Sequence, residues 1–84
     1  MKLINIGYGN MVTAERVVAA VSPDAAPIRR LIQDARDAGH VIDATCGHKT
    51  KSVLVLDSGH VVLSPLMPET VGGRMEPKRG ALEK

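Results

Sequence analysis

Residues 52–63 read Ser52-Val53-Leu54-Val55-Leu56-Asp57-Ser58-Gly59-His60-Val61-Val62-Leu63, and the fold turns on this stretch. Two aliphatic runs bracket Asp57-Ser58-Gly59-His60, a tight turn in which Gly59 can supply a positive backbone angle. Residues 50–56 and 61–63 are therefore expected to pair as antiparallel strands. Val53-Leu54-Val55-Leu56 is apolar on both strand faces, whereas a strand with one solvated face would alternate. One face is expected to cover a helix, and the other to need a second sheet or a second subunit.

The helix lies upstream. Ile28, Leu31, Ile32 and Ala35 follow the i, i+3, i+4, i+7 spacing of one helical face, with Arg29, Arg30, Gln33, Asp34 and Asp37 on the polar side. Gly39 ends it in a left-handed position. Two starts fit the sequence: Ser22 as N-cap with Pro23 at the first helical position, or Asp24 as N-cap with Pro27 in the first turn. Either start gives a helix of about four turns. Residues 41–45 then form a strand, and Cys46-Gly47-His48-Lys49 connects it to the strand beginning at Thr50, which makes this connection the tip of a hairpin.

Toward the amino terminus, residues 2–6 are aliphatic enough for a strand, and Gly7-Tyr8-Gly9-Asn10 suits a turn or bulge. Two glycines around one tyrosine are not a dinucleotide fingerprint, because the GxGxxG spacing is incomplete. In residues 11–21, Ala14, Val17, Val18 and Val21 fit a helical stripe capped by Thr13, while the β-branched Val17-Val18 favours extension. The expectation is a strand over residues 16–21. Pro65 and Pro68 punctuate the connection after the last strand, and Glu69-Thr70-Val71 opens a short helix before Gly72-Gly73. The fold class is α+β: a small antiparallel sheet packed on one main amphipathic helix, with a short C-terminal helix. Residues 1–73 are expected to form one compact domain and residues 74–84, mixed in charge and poor in apolar anchors, a flexible tail.

Composition narrows the function. A chain of 84 residues buries only about 60% of its unfolded surface as a monomer. Its 1 Cys permits no intrachain disulfide, and no repeated Cys/His spacing suggests zinc. Hydrophobic residues make up 44%, yet Phe and Trp are absent, so the core must be built from small aliphatic side chains. Self-association is the natural remedy. The start of the chain has neither the basic-then-apolar plan of a signal peptide nor a membrane span, so a cytoplasmic location with no membrane partner is expected.

The net charge of +2 serves solubility as well as it serves an anionic partner. Its distribution says more. No acidic residue lies between Ala44 and Leu56, while His48, Lys49 and Lys51 follow Gly47, where backbone could approach a ligand closely. That pattern suits phosphate contact, and an ordinary solvated hairpin also accounts for it. Arg16 could fork across a phosphate or pair with Glu15 or with an Asp of a neighbouring subunit. Arg29 and Arg30 offer a secondary basic patch, or simple i, i+4 pairs with Gln33 and Asp34.

Cys46, His48 and Asp43 resemble a nucleophile or metal cluster only superficially, since a metal wants three or four converging ligands. No catalytic residue, metal ligand or cofactor is assigned. Cys46 reads as a small buried hydrophobe. Tyr8, the sole aromatic, is too little for a base-stacking platform, so duplex backbone suits this inventory better than a single strand; its ring could instead plug an interface.

Several ordered blocks carry a resemblance: Asn5-Ile6-Gly7-Tyr8-Gly9-Asn10-Met11-Val12, Val21-Ser22-Pro23-Asp24 with Ala26-Pro27-Ile28, Gln33-Asp34-Ala35-Arg36, Val41-Ile42-Asp43-Ala44-Thr45, and His60-Val61-Val62-Leu63-Ser64 with Pro68-Glu69-Thr70. Over residues 2–74 the chain resembles the extracellular matrix regulatory protein RemA family of small bacterial proteins. The resemblance implies double-stranded DNA binding, activation of biofilm-matrix operons with a link to osmoprotection genes, and a fold similar to LytTR-type DNA-binding domains. It also implies a homo-oligomeric ring of about seven or eight subunits, which would repeat one weak basic patch around a circumference. By the same resemblance Arg16, and the basic pair after the glycine, contact DNA. Here that pair is His48-Lys49 where the family has arginines, and Cys46 stands where a tyrosine is usual. The tip stays positive but loses bidentate reach. The competing reading is an oligomeric scaffold that binds a protein partner through the same tip.

Overall fold

The computed structural model describes residues 2–75. The chain forms β1 (Leu3–Asn5), β2 (Met11–Thr13), a single 3-10 turn at Ala14–Arg16, β3 (Val17–Val21), α1 (Ala26–Asp37), β4 (Val41–Asp43), β5 (Ser52–Leu56), β6 (Val61–Ser64) and α2 (Pro68–Met75). The fold is α+β, with the amphipathic helix and the short C-terminal helix both present.

Val53 pairs with Leu63 and Leu54 with Val62, so the expected antiparallel partnership of β5 and β6 forms around the Asp57 turn. Because paired residues share a face, alternate positions feed two separate cores. Val53, Val61 and Leu63 join Ala35 beneath the Ile28, Leu31 and Ile32 stripe of α1. Leu54 and Val62 join Ile4, Ile6, Ala44 and Val71 on the other side. The second apolar face is therefore covered within the chain, by the β1–β2 ribbon and α2, and needs no second subunit.

The four-stranded sheet has the order β3-β5-β6-β4, with β3 and β4 at its edges. β4 runs parallel to β6, with Val41 beside Val61 and Asp43 beside Leu63. This corrects the hairpin expected between residues 41–45 and residue 50 onward: the sheet is mixed, and β4 and β5 lie on opposite sides of β6. Residues 44–51 are a crossover that passes the end of β6. The Ala44 N–H donates to the Leu63 carbonyl at 2.9 Å and the Lys51 N–H to the Ser64 carbonyl at 2.9 Å, so both ends of the crossover are tied to that strand end.

Ala25, with φ of −76° and ψ of 143°, is the N-cap of α1, and Pro27 lies in the first turn. Neither Ser22 nor Asp24 caps the helix. They close a turn of their own, the Asp24 N–H donating to Ser22 Oγ at 3.3 Å. The 12-residue helix thus has about three turns rather than four. Gly39 ends it with φ of +76°, and the His40 N–H reaches back to the Ala35 carbonyl at 2.8 Å. β3 begins at Val17, one residue later than expected, because Arg16 belongs to the 3-10 turn. α2 continues through Gly72-Gly73 to Met75, so Arg74 and Met75 are helical. The remainder of the expected tail, 76–84, lies outside the described residues.

Candidate nucleic-acid interface

The crossover holds its shape through local bonds. Asp43 Oδ1 accepts from the Thr45 N–H at 2.9 Å and from Thr45 Oγ1 at 2.6 Å. The Thr45 hydroxyl, and then the Thr45 amide, hold the Asp43 carboxyl below the usual carboxylate range, with Arg36 adding a smaller Coulombic pull. Cys46 (φ 53°) and Gly47 (φ 83°) follow, and the His48 N–H closes the turn on the Thr45 carbonyl at 3.0 Å. Two consecutive positive φ angles mark a type I′ turn.

A second turn of the same kind faces it. Tyr8 (φ 52°) and Gly9 (φ 78°) are closed by the Asn10 N–H donating to the Gly7 carbonyl at 3.0 Å. Asn10 Nδ2 stitches the two together, donating to the Gly7 carbonyl at 3.1 Å and to the Ala44 carbonyl at 3.3 Å. The Tyr8 ring stacks on the His48 imidazole with centroids 4.8 Å apart and planes 11° from parallel.

Lys49, Thr50 and Lys51 line one groove of about 380 Å³ with Ser22, Pro23, Asp24, Met67, Pro68 and Glu69. The two lysines therefore share a concavity, on irregular backbone ahead of β5. Two carboxylates share it as well. The basic stretch is uncompensated along the chain, but in space Asp24 and Glu69 flank it.

Arg16 is elsewhere. Antiparallel pairing sets Val17 beside Leu56 and Val21 beside Val53, so Arg16 and the lysine groove lie at opposite ends of β3, about 17 Å apart by strand rise. Arg16 Nη1 lies 3.3 Å from both Asp57 carboxylate oxygens. Its ion-pair partner is thus in its own chain; Glu15 instead accepts from the Lys2 amide at 3.2 Å. Arg16 also lines a second groove of about 320 Å³ with Asn10, Met11, Ile42, Asp43 and Leu56 among others.

Arg29 and Arg30 are exposed on α1 and line neither groove. Of the two alternatives, the i, i+4 pairs with Gln33 and Asp34 are not seen among the described residues; Gln33 Nε2 donates to Asp37 at 2.9 Å. Cys46 is exposed, not buried, because the type I′ turn lifts it off the sheet. Among the described residues no three Cys, His, Asp or Glu side chains converge as a metal site. His40 and His60 do meet, with centroids 4.7 Å apart, because parallel β4 and β6 begin side by side. Sequence reasoning missed the Tyr8–His48 stack. The available signal was the repeated pattern of a residue followed by glycine, Tyr8-Gly9 and Cys46-Gly47, at two turns.

The family model described as Extracellular matrix regulatory protein A-like matches residues 3–75. The chain belongs to the RemA-like family. Three relatives carry names that begin "Putative regulatory protein". One from Synechococcus elongatus is 56% identical over 80 residues, covering 95% of this chain and 92% of the relative. One from Dictyoglomus turgidum is 62% identical over 76 residues, covering 90% and 89%. One from Geobacillus kaustophilus is 59% identical over 75 residues, covering 89% and 86%. Family and names alike point to a regulatory protein. No helix among the described residues is long and apolar enough to cross a membrane.

Proposed function

We propose that this chain is a cytoplasmic, sequence-selective duplex-DNA-binding transcriptional regulator that works as a ring-shaped homo-oligomer of about seven or eight copies and activates extracellular-matrix genes. One observation carries the DNA reading: the crossover at the end of β6 holds His48, Lys49 and Lys51 exposed together. Among the described residues, no heavy atom beyond its chain neighbours lies within 4 Å of where a Gly47 side chain would begin, so a phosphate backbone has room to approach. Asp24 and Glu69 make a single subunit a weak anchor. Repetition around a ring turns many weak contacts into strong, salt-dependent attachment. Arg16, at the other end of β3 from the lysine groove, would meet a separate phosphate of the same duplex.

Exposed apolar side chains support self-association. Met11 and Ile42 are 56% and 49% exposed on the rim of one groove. Val18 is 69% exposed on edge strand β3. Sheet edges that carry apolar side chains readily meet another chain.

Titrating the purified full chain with duplex DNA over a salt series, with its solution mass measured alongside, tests this reading. A mass several-fold above the monomer is expected, with binding that weakens steeply as salt rises. Lys49→Ala should weaken binding on every sequence and flatten the salt slope without changing the mass. No duplex binding at low salt would replace DNA with a protein partner, and preference for an RNA hairpin would replace it with RNA.

A further inference from the structure

We propose that Tyr8 is a positioning residue for the DNA contact: its ring holds the His48 imidazole at the surface beside Lys49, ready to meet a phosphate. The proposal rests on reading residues 47–51 as the duplex contact. Tyr8 is the sole Tyr, Trp or Phe of the chain, and it is not used as a core residue, since it remains 58% exposed. Its φ of 52° is a conformation that bulky side chains rarely adopt. Such a residue outside the core, at a strained turn, is kept there by what its side chain touches. It touches His48.

The stack is nearly parallel, so it fixes the plane of the imidazole, and His48 stays exposed within it. Asn10 bridges the Tyr8 turn to the Ala44 carbonyl, so the two rings are carried on turns bonded to each other rather than on independent loops. Among the described residues neither His48 ring nitrogen has a protein hydrogen-bond partner, and both are available to an anion; in the protonated ring both are donors. The Tyr8 turn, residues 7–10, carries no charged residue. On the crossover itself the charged groups are Asp43, already engaged by Thr45, and Lys49 and Lys51. Protonation of His48 thus adds to a local positive cluster that a phosphate would neutralise.

The experiment uses the full chain and a duplex bound by the unaltered protein, with affinity read by anisotropy near pH 6 and near pH 8. The unaltered protein should bind at least about fivefold more tightly at the lower pH, one extra phosphate contact being gained per bound subunit. Tyr8→Phe keeps the ring and should keep both affinity and pH profile. Tyr8→Leu should weaken binding at the lower pH to the level of His48→Gln and flatten the profile, and the double variant should be no weaker than either single one. Lys49→Ala should weaken binding at both pH values, which separates the loop contact from its positioning.

A second readout needs no DNA. Tyr8 emission is the protein's only Tyr or Trp fluorescence, and it should differ between about pH 6 and about pH 8 in the unaltered protein and stay flat in His48→Gln. This variant also keeps the test intact if Tyr8→Leu does not fold. Flat emission in the unaltered protein, or a Tyr8→Leu variant that binds with the original pH profile, overturns the positioning role while the DNA site stands. Failure to find any duplex that the unaltered protein binds at low salt overturns the site and the proposal together.

Discussion

Arg16 Nη1 sits 3.3 Å from both carboxylate oxygens of Asp57, and the Asp57 N–H donates to the Arg16 carbonyl at 2.9 Å. The arginine is thus held twice at the turn between β5 and β6, once through backbone and once through side chain. The side chains are 67% and 46% exposed, so water screens the ion pair and its contribution to stability is small, about 0.5 kcal/mol. A competing phosphate can displace Asp57 at little cost.

Asp57→Asn should therefore leave the folded state almost unchanged while tightening DNA binding. The melting temperature should move by no more than about 4 °C. Binding should tighten several-fold and its salt slope steepen, because Arg16 is released and a repelling carboxylate is removed. A binding curve that superimposes on that of the unaltered protein would show that Arg16 does not meet the duplex.

The crossover should resist acid. Bonds to Thr45 hold the folded Asp43 carboxyl below its ordinary value of 3.8, so this group stabilises the fold above that value and the contribution is lost as pH falls through the lower, folded value. Asp43→Ala should remove that dependence and loosen the Thr45 turn. Hydrogen exchange at the His48 amide, which closes that turn, should speed up several-fold at neutral pH. Exchange unchanged in the variant would mean that the turn does not need the carboxylate.

Much of the architecture is visible in residue spacing. The α1 stripe, the Gly39 stop and the pairing of β5 with β6 follow from local chemistry: helical periodicity, a glycine that tolerates positive φ, and a turn between two aliphatic runs. The placement of β4 is different. Val41-Ile42-Asp43 has the same composition whether it pairs with β5 or with β6, and the choice rests on α1 carrying the chain from one sheet edge to the other. That is a long-range packing decision with no local signal. Lys49 and Lys51 were legible as a pair because they are close in sequence. Asp24 and Glu69, which share their groove, come from distant segments, and the separation of Arg16 from the lysines follows only from the β3–β5 register.

Self-association should be separable from folding. Ile42 is 49% exposed on edge strand β4, and its side chain lies on the rim of the groove that also exposes Met11. Ile42→Lys places a charge there without disturbing a buried residue. The far-ultraviolet spectrum should stay the same while solution mass falls, and DNA affinity should fall more than tenfold as repetition is lost. An assembly of unchanged mass would place the contact between copies elsewhere.

Two glycine substitutions should move stability in opposite directions. Gly7 has φ of +115°, and a Cβ built on it would lie 2.9 Å from Pro65 Cγ, a ring atom that cannot swing away like the end of a flexible chain. Gly7→Ala combines backbone strain with a steric clash and should cost about 2 to 3 kcal/mol. Gly73 lies inside α2 with no positive φ, and among the described residues a Cβ there would meet no heavy atom within 4 Å beyond its chain neighbours and the helix's own backbone. Gly73→Ala should instead stabilise by about 0.5 to 1 kcal/mol, because alanine loses less backbone freedom on entering the helix. Thermal unfolding of the pair decides the matter: a Gly7→Ala protein as stable as the original would refute the tight packing of this turn against Pro65, and a Gly73→Ala protein that gains nothing would indicate that α2 does not extend through its glycines.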